Sequence, residues 1–130
     1  MIPEITALYA ALLVLWQIFL GFRISILRKK HQVGVGSGGN LELNVAVRCH
    51  GNAVETIPVA ILLILIAELN GASTVLLHGA GIAFLAGRIL HAWGLTRTQG
   101  NISFGRFAGM LLTWLVFLIL ASACVYFFVK

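Results

Sequence analysis

Four stretches of this chain are each long and apolar enough to cross a bilayer, and no other feature of the sequence restricts its fold as severely. A spanning helix needs roughly 20 mostly apolar residues, and the chain offers Ile2 to Leu27, Leu43 to Leu69, Thr74 to Leu95 and Ser103 to Val129. With 130 residues in all, little is left for a soluble domain. Composition agrees, because a chain that is 60% hydrophobic and 10% charged carries more apolar surface than a core of this size can hide from water. The expected architecture is an all-α membrane protein, a four-transmembrane-helix bundle forming one domain over residues 1–130. In the first segment the basic residues follow the apolar stretch, and no small-residue cleavage site precedes a mature domain. That segment is expected to be a retained helix rather than a signal peptide.

Charge sets the expected orientation. Arg28, Lys29, Lys30 and His31 stand between the first two helices, and Arg97 and Arg106 flank the third loop, whereas the second loop, Asn70 to Ser73, is uncharged. The positive-inside rule places loops one and three in the cytoplasm. In a soluble protein a net charge of +5 would raise the question of nucleic acid. Here the cations cluster at helix ends, so membrane lipids are their natural partners and no nucleic-acid partner is implied. Gly34 to Gly39 lacks both the lysine ending of a phosphate loop and a preceding strand, which leaves a flexible linker. Cys49 and Cys124 have neither a disulfide framework nor metal-ligand spacing, and no metal site is expected.

Ionisable residues inside membrane helices cost a few kcal/mol each, so each asks for a partner or a purpose. Arg48, Asn52 and Glu55 follow one another at spacings of four and three, on one helical face over a depth of roughly 10 Å. With the orientation above they occupy the cytoplasmic half of the second helix. Arg88 and His91 near the end of the third helix, Arg23 late in the first and Arg106 at the start of the fourth fall in the same layer. Four arginines then face Glu55 alone, with Glu42 nearby. Arginine does not shed its proton to escape desolvation, so the surplus predicts an anionic guest, a small carboxylate-bearing ligand. Simpler roles are a salt bridge between Arg88 and Glu55 and snorkelling of Arg23 or Arg106 to headgroups. Glu68 lies toward the other side, near a helix end where it is expected to reach water.

The run Arg48-Cys49-His50-Gly51-Asn52-Ala53-Val54-Glu55-Thr56-Ile57-Pro58 resembles the signature of the MAPEG family, the membrane-associated proteins of eicosanoid and glutathione metabolism. The resemblance extends over the chain through the basic first loop, Arg88 and Arg106, and its glycine-rich loop is most similar to the small bacterial branch. It implies a bacterial inner-membrane protein and a homotrimer that holds glutathione between subunits. It also implies that Arg48, Asn52 and Glu55 bind the tripeptide, that Arg88 and His91 support the site, and that Arg23 reaches it from the adjacent subunit. Arg106, in preference to Arg97, matches the position that holds the sulfur as thiolate. Glutathione would then be a co-substrate that attacks an apolar electrophile or reduces a lipid hydroperoxide.

Thr56, His91 and Leu95 stand where the family often has tyrosines. They keep open a second function, a non-catalytic scaffold that binds lipid or glutathione. A small cation exporter of similar length fits poorly, because its membrane carboxylate would sit in a layer without excess positive charge.

Overall fold

The computed structural model describes residues 2–130. It contains α1 (Glu4–His31), α2 (Leu41–Leu69), α3 (Thr74–Arg97) and α4 (Phe104–Val129), all four long and apolar enough to cross a membrane. Three of the helices begin at a short polar residue whose side chain accepts a backbone N–H of the first turn: Asn40 from Leu43, Ser73 from Leu76 and Ser103 from Arg106. α1 runs on through Arg28 to His31, past the apolar stretch, because cations suit the negative end of a helix. α2 passes without interruption through Pro58.

α2 packs against all three other helices, and α3 with α4 makes the most intimate pair. Glycine explains that intimacy. A Cβ on Gly87 would sit 3.1 Å from the Gly109 carbonyl oxygen, and one on Gly109 would sit 2.6 Å from the His91 nitrogen. Backbone therefore meets backbone across the seam, as small residues permit between membrane helices. Gly105 faces Gly94 one turn nearer the basic end, meaning the end of the bundle that carries loops 32–40 and 98–103. Gly81 serves another contact, with the ring of Tyr9 on α1, while Gly79 faces open space.

The first loop is more ordered in its bonding than a plain linker. Gly36, Gly38 and Gly39 take positive φ, and the turn they make lets Arg28 donate to the Gly36 carbonyl at 2.8 Å. His31 lies between the side chains of Asn40 and Glu42, each at 3.1 Å, and Lys30 pairs with Glu42 at 3.1 Å.

At the opposite end Glu68 turns into the bundle instead of standing free at the helix end. It is 6% exposed, and its carboxylate accepts from the Ile5 and Thr6 amides at 2.9 and 2.7 Å and from the Thr6 hydroxyl at 2.5 Å. Pro3, the residue preceding α1, offers no side-chain cap. The first-turn donors of α1, which no intrahelical carbonyl can satisfy, are thus capped from the end of α2. The charge also complements the positive end of the helix. Next to it the Tyr9 hydroxyl meets His78 Nδ1 at 2.9 Å.

Two outcomes follow for stability. Glu68→Ala strands the buried Thr6 amide, worth about 1–3 kcal/mol, and the part-buried Ile5 amide, so thermal unfolding in detergent should occur earlier and both amides should exchange hydrogen faster. Gly109→Ala gains roughly 1 kcal/mol of helix propensity. It also drives a methyl into the α3 backbone, for about 1–3 kcal/mol of overpacking. The net effect should be destabilising, whereas Gly79→Ala should be neutral or stabilising in the same assay.

Candidate anion-binding cleft

At the basic end α2, α3 and α4 splay apart around a cleft of about 510 Å³. Arg48 and Asn52 line it from α2, His91 and Leu95 from α3, and Arg106 and Met110 from α4. Gln99, Gly100 and Asn101 of the third loop complete the rim. At 1.5 Å per residue, Asn52 lies about 16 Å along α2 from Leu41, and Met110 lies about 6 Å beyond Arg106. Asn52, His91 and Met110 therefore form the floor, Arg48 and Arg106 the walls, and Asn44, Gln99 and Asn101 the mouth.

Four of the sequence-predicted residues share this cleft: Arg48, Asn52, His91 and Arg106. Arg88 lies behind it, 2% exposed. The anticipated salt bridge to Glu55 is not what holds Arg88. Its guanidinium donates to the Asn52 Oδ1, to the Thr113 hydroxyl and, at 3.1 Å, to the Gly109 carbonyl. Glu55 sits almost one turn deeper than Asn52 and is exposed on the outer face of α2. Arg23 of α1 is half-buried and does not line the cleft, and its Nη1 donates to the Thr96 hydroxyl of α3 at 2.8 Å. Arg97 stands outside the cleft with its guanidinium over the Trp93 ring at 5.2 Å.

The grip of Arg88 on Asn52 has a chemical consequence. A guanidinium only donates, so the amide oxygen must face it, and the Asn52 NH2 is left turned toward Met110 Sδ at 3.9 Å, on the floor of the cleft. Thr113 fits the same scheme: its hydroxyl proton goes to the Gly109 carbonyl at 2.9 Å, which frees its oxygen to accept from Arg88. The floor thus presents an oriented donor backed by a buried cation.

Arg106 occupies the first turn of α4, where the helix field is already positive and no acidic residue balances it. One of its nitrogens donates to the Gly100 carbonyl at 3.1 Å, which steadies the side chain against the rim. Among the described residues the salt bridges are those of Lys30 and His31 with Glu42, outside the cleft. The walls and floor therefore carry positive charge and N–H donors with no lining carboxylate, an arrangement that favours an anion with more than one acidic group.

Asn44 and Thr113 were not singled out from sequence. Both had a signal: Asn44 extends the four-residue step of Arg48 and Asn52, and Thr113 continues the step from Arg106 through Met110. Gln99 and Asn101 carried none, since their place depends on how the third loop folds.

The comparisons with known proteins agree with this architecture. Inner membrane protein YecN of Escherichia coli strain K12 is 42% identical to this chain over 119 residues, covering 92% of this chain and 88% of the relative. Inner membrane protein YecN of Escherichia coli O6:H1 strain CFT073 matches to the same extent. The sequence model of the MAPEG family matches residues 6–126, which is nearly the whole bundle together with every residue of the cleft, and the chain belongs to the MAPEG family.

Proposed function

We propose that this protein is a glutathione-dependent membrane enzyme, a transferase or peroxidase that holds the glutathione thiol as thiolate for attack on apolar electrophiles or lipid hydroperoxides. The observation that carries the reading is the uncompensated positive cleft, in which Arg48, Arg106 and the oriented Asn52 amide converge without a lining carboxylate. Glutathione has two carboxylates, an ammonium and a thiol. The arginines suit the carboxylates, and a fixed cation at low dielectric lowers the pKa of a thiol, which is near 8.5 when unperturbed. Arg106 is the group for that role, because it lines the cleft while Arg97 is occupied with Trp93.

Deprotonation releases the thiol proton to water at the mouth. The sulfur lone pair then forms a carbon–sulfur bond as a leaving group departs, or attacks the terminal oxygen of a hydroperoxide and breaks the O–O bond. In the second case the alkoxide takes up a proton and leaves as the alcohol, the sulfur is left as a sulfenic acid, and the thiol of a second glutathione would displace its hydroxyl as water to give the disulfide. Apolar substrates would reach the floor from the bilayer between α2 and α4, where Met110 lies.

Membership of the family and the two Escherichia coli relatives support a multi-pass protein of a bacterial inner membrane, and the cations of the first and third loops favour the cytoplasmic side for both. Glu55 supports the homotrimer. A carboxylate exposed at membrane depth calls for cover, and a neighbouring subunit against the outer face of α2 would supply it. The ammonium of a glutathione held at that boundary, or Arg23 reaching across from the neighbour, would be its partner.

Titration of glutathione into the detergent-solubilised protein should give saturable binding and an ultraviolet thiolate band. Arg48→Ala should weaken binding about tenfold or more, the scale of one hydrogen bond to a charged group. Arg106→Ala should suppress turnover of an aryl halide or an organic hydroperoxide more than it suppresses binding. Binding without a thiolate band would select the scaffold reading, and neither binding nor turnover across a broad panel would refute both. Arg88→Lys keeps the charge but loses the fork. It should cost affinity through Asn52, so that combining it with Asn52→Ala costs little more than Asn52→Ala alone.

A further inference from the structure

On the floor of the cleft one side chain has no assigned task within the protein. His91 is 6% exposed, lines the cleft, and forms no side-chain hydrogen bond with any described residue. Its burial follows from the glycine seam, since Gly109 lacks the methyl that would collide with the His91 Cβ at 2.7 Å. Its ring nitrogens are not sealed off from the cleft and have no partner among the described residues, so they are free to bond a group that enters the cleft. The charged groups facing it are Arg48 of α2, Arg88 of α3 and Arg106 of α4, all cations.

Position along the cleft says which group of the ligand arrives there. His91 lies six residues, about 9 Å, inside the end of α3, level with Asn52 and Met110 and below the polar mouth. Carboxylates keep hydration and further donors near Arg48, Gln99 and Asn101. The thiol is the least hydrated polar group of glutathione, and it must meet an apolar substrate. The deep, partly apolar floor is its natural place.

We infer that His91 is a sulfur-binding residue: its neutral imidazole donates an N–H to the glutathione sulfur and, together with the Arg106 charge, holds the thiolate. This rests on the glutathione reading above. The ring keeps its own proton throughout. The thiol proton leaves to water, the sulfur bears the charge, and that charge is discharged when the carbon–sulfur bond forms and the leaving group departs with its electron pair. A directional donor adds what a guanidinium charge alone lacks, a preferred sulfur position aimed at the substrate.

The test measures the thiolate band of bound glutathione against pH in the full-length protein, beside binding of S-methylglutathione, which has no thiol to ionise. His91→Phe should move the midpoint of thiolate formation upward by about one pH unit or more, the scale of one hydrogen bond to a charged group. S-methylglutathione should bind within about twofold of the parent, and His91→Gln, which keeps an N–H donor, should recover part of the shift. An unchanged midpoint in His91→Phe overturns the assignment, as does equal loss of S-methylglutathione binding in both variants, which marks a packing role. Failure of the parent protein to bind glutathione at all counts against the functional reading, and is seen before either variant is made.

Discussion

A guanidinium buried among membrane helices without a carboxylate beside it is the interaction on which the rest of this molecule turns. Arg88 is solvated by dipoles instead of by a counter-ion: the Asn52 amide oxygen, the Thr113 hydroxyl and the Gly109 carbonyl. Each comes from a different place on α2 or α4, so the one side chain ties three helices together. Because none of these partners is charged, the positive charge is left uncancelled behind the floor of the cleft. A salt bridge to Glu55 would have stabilised the same fold and neutralised the site. Holding the arginine with neutral oxygens keeps the fold and leaves the field intact.

The glycine seam between α3 and α4 serves the same end by geometry. Close approach at Gly87 and Gly109 seats the Gly109 carbonyl within reach of Arg88. Nearer the basic end, Gly94 and Gly105 hold the two helices together while α2 stands off. The cleft opens in that gap. Its walls then come from helices rather than loops, which fixes the heights of Arg48 and Arg106 to within the play of a helical turn.

Much of this was legible in the sequence because the bilayer is an exacting solvent. Apolar length marks the four spans, and the polar residues Asn40, Ser73 and Ser103 mark three helix starts by local chemistry. The convergence of Arg48, Asn52 and Arg106 followed from helical period and from the shared leaflet. What escaped was pairing in three dimensions. Period places Glu55 on the face of Arg48 and Asn52, but the cleft ends before that depth, so the stripe divides between an inner site and an outer surface. The partner of Arg88 depends on which helix stands opposite, and the cap from Glu68 joins residues 62 positions apart, beyond any local pattern.

That cap also bears on how the chain enters the membrane. A first helix arriving alone would carry into the bilayer the unpaired Ile5 and Thr6 amides, and a Glu68 arriving alone would carry an unpaired carboxylate. Each liability cancels the other only when the start of α1 and the end of α2 lie side by side. Insertion as a hairpin, with the start of α1 and the end of α2 side by side from the outset, would spare both groups that exposure. The Glu68 contact, at the end of the bundle away from the cleft, then matters first to how α1 and α2 come together.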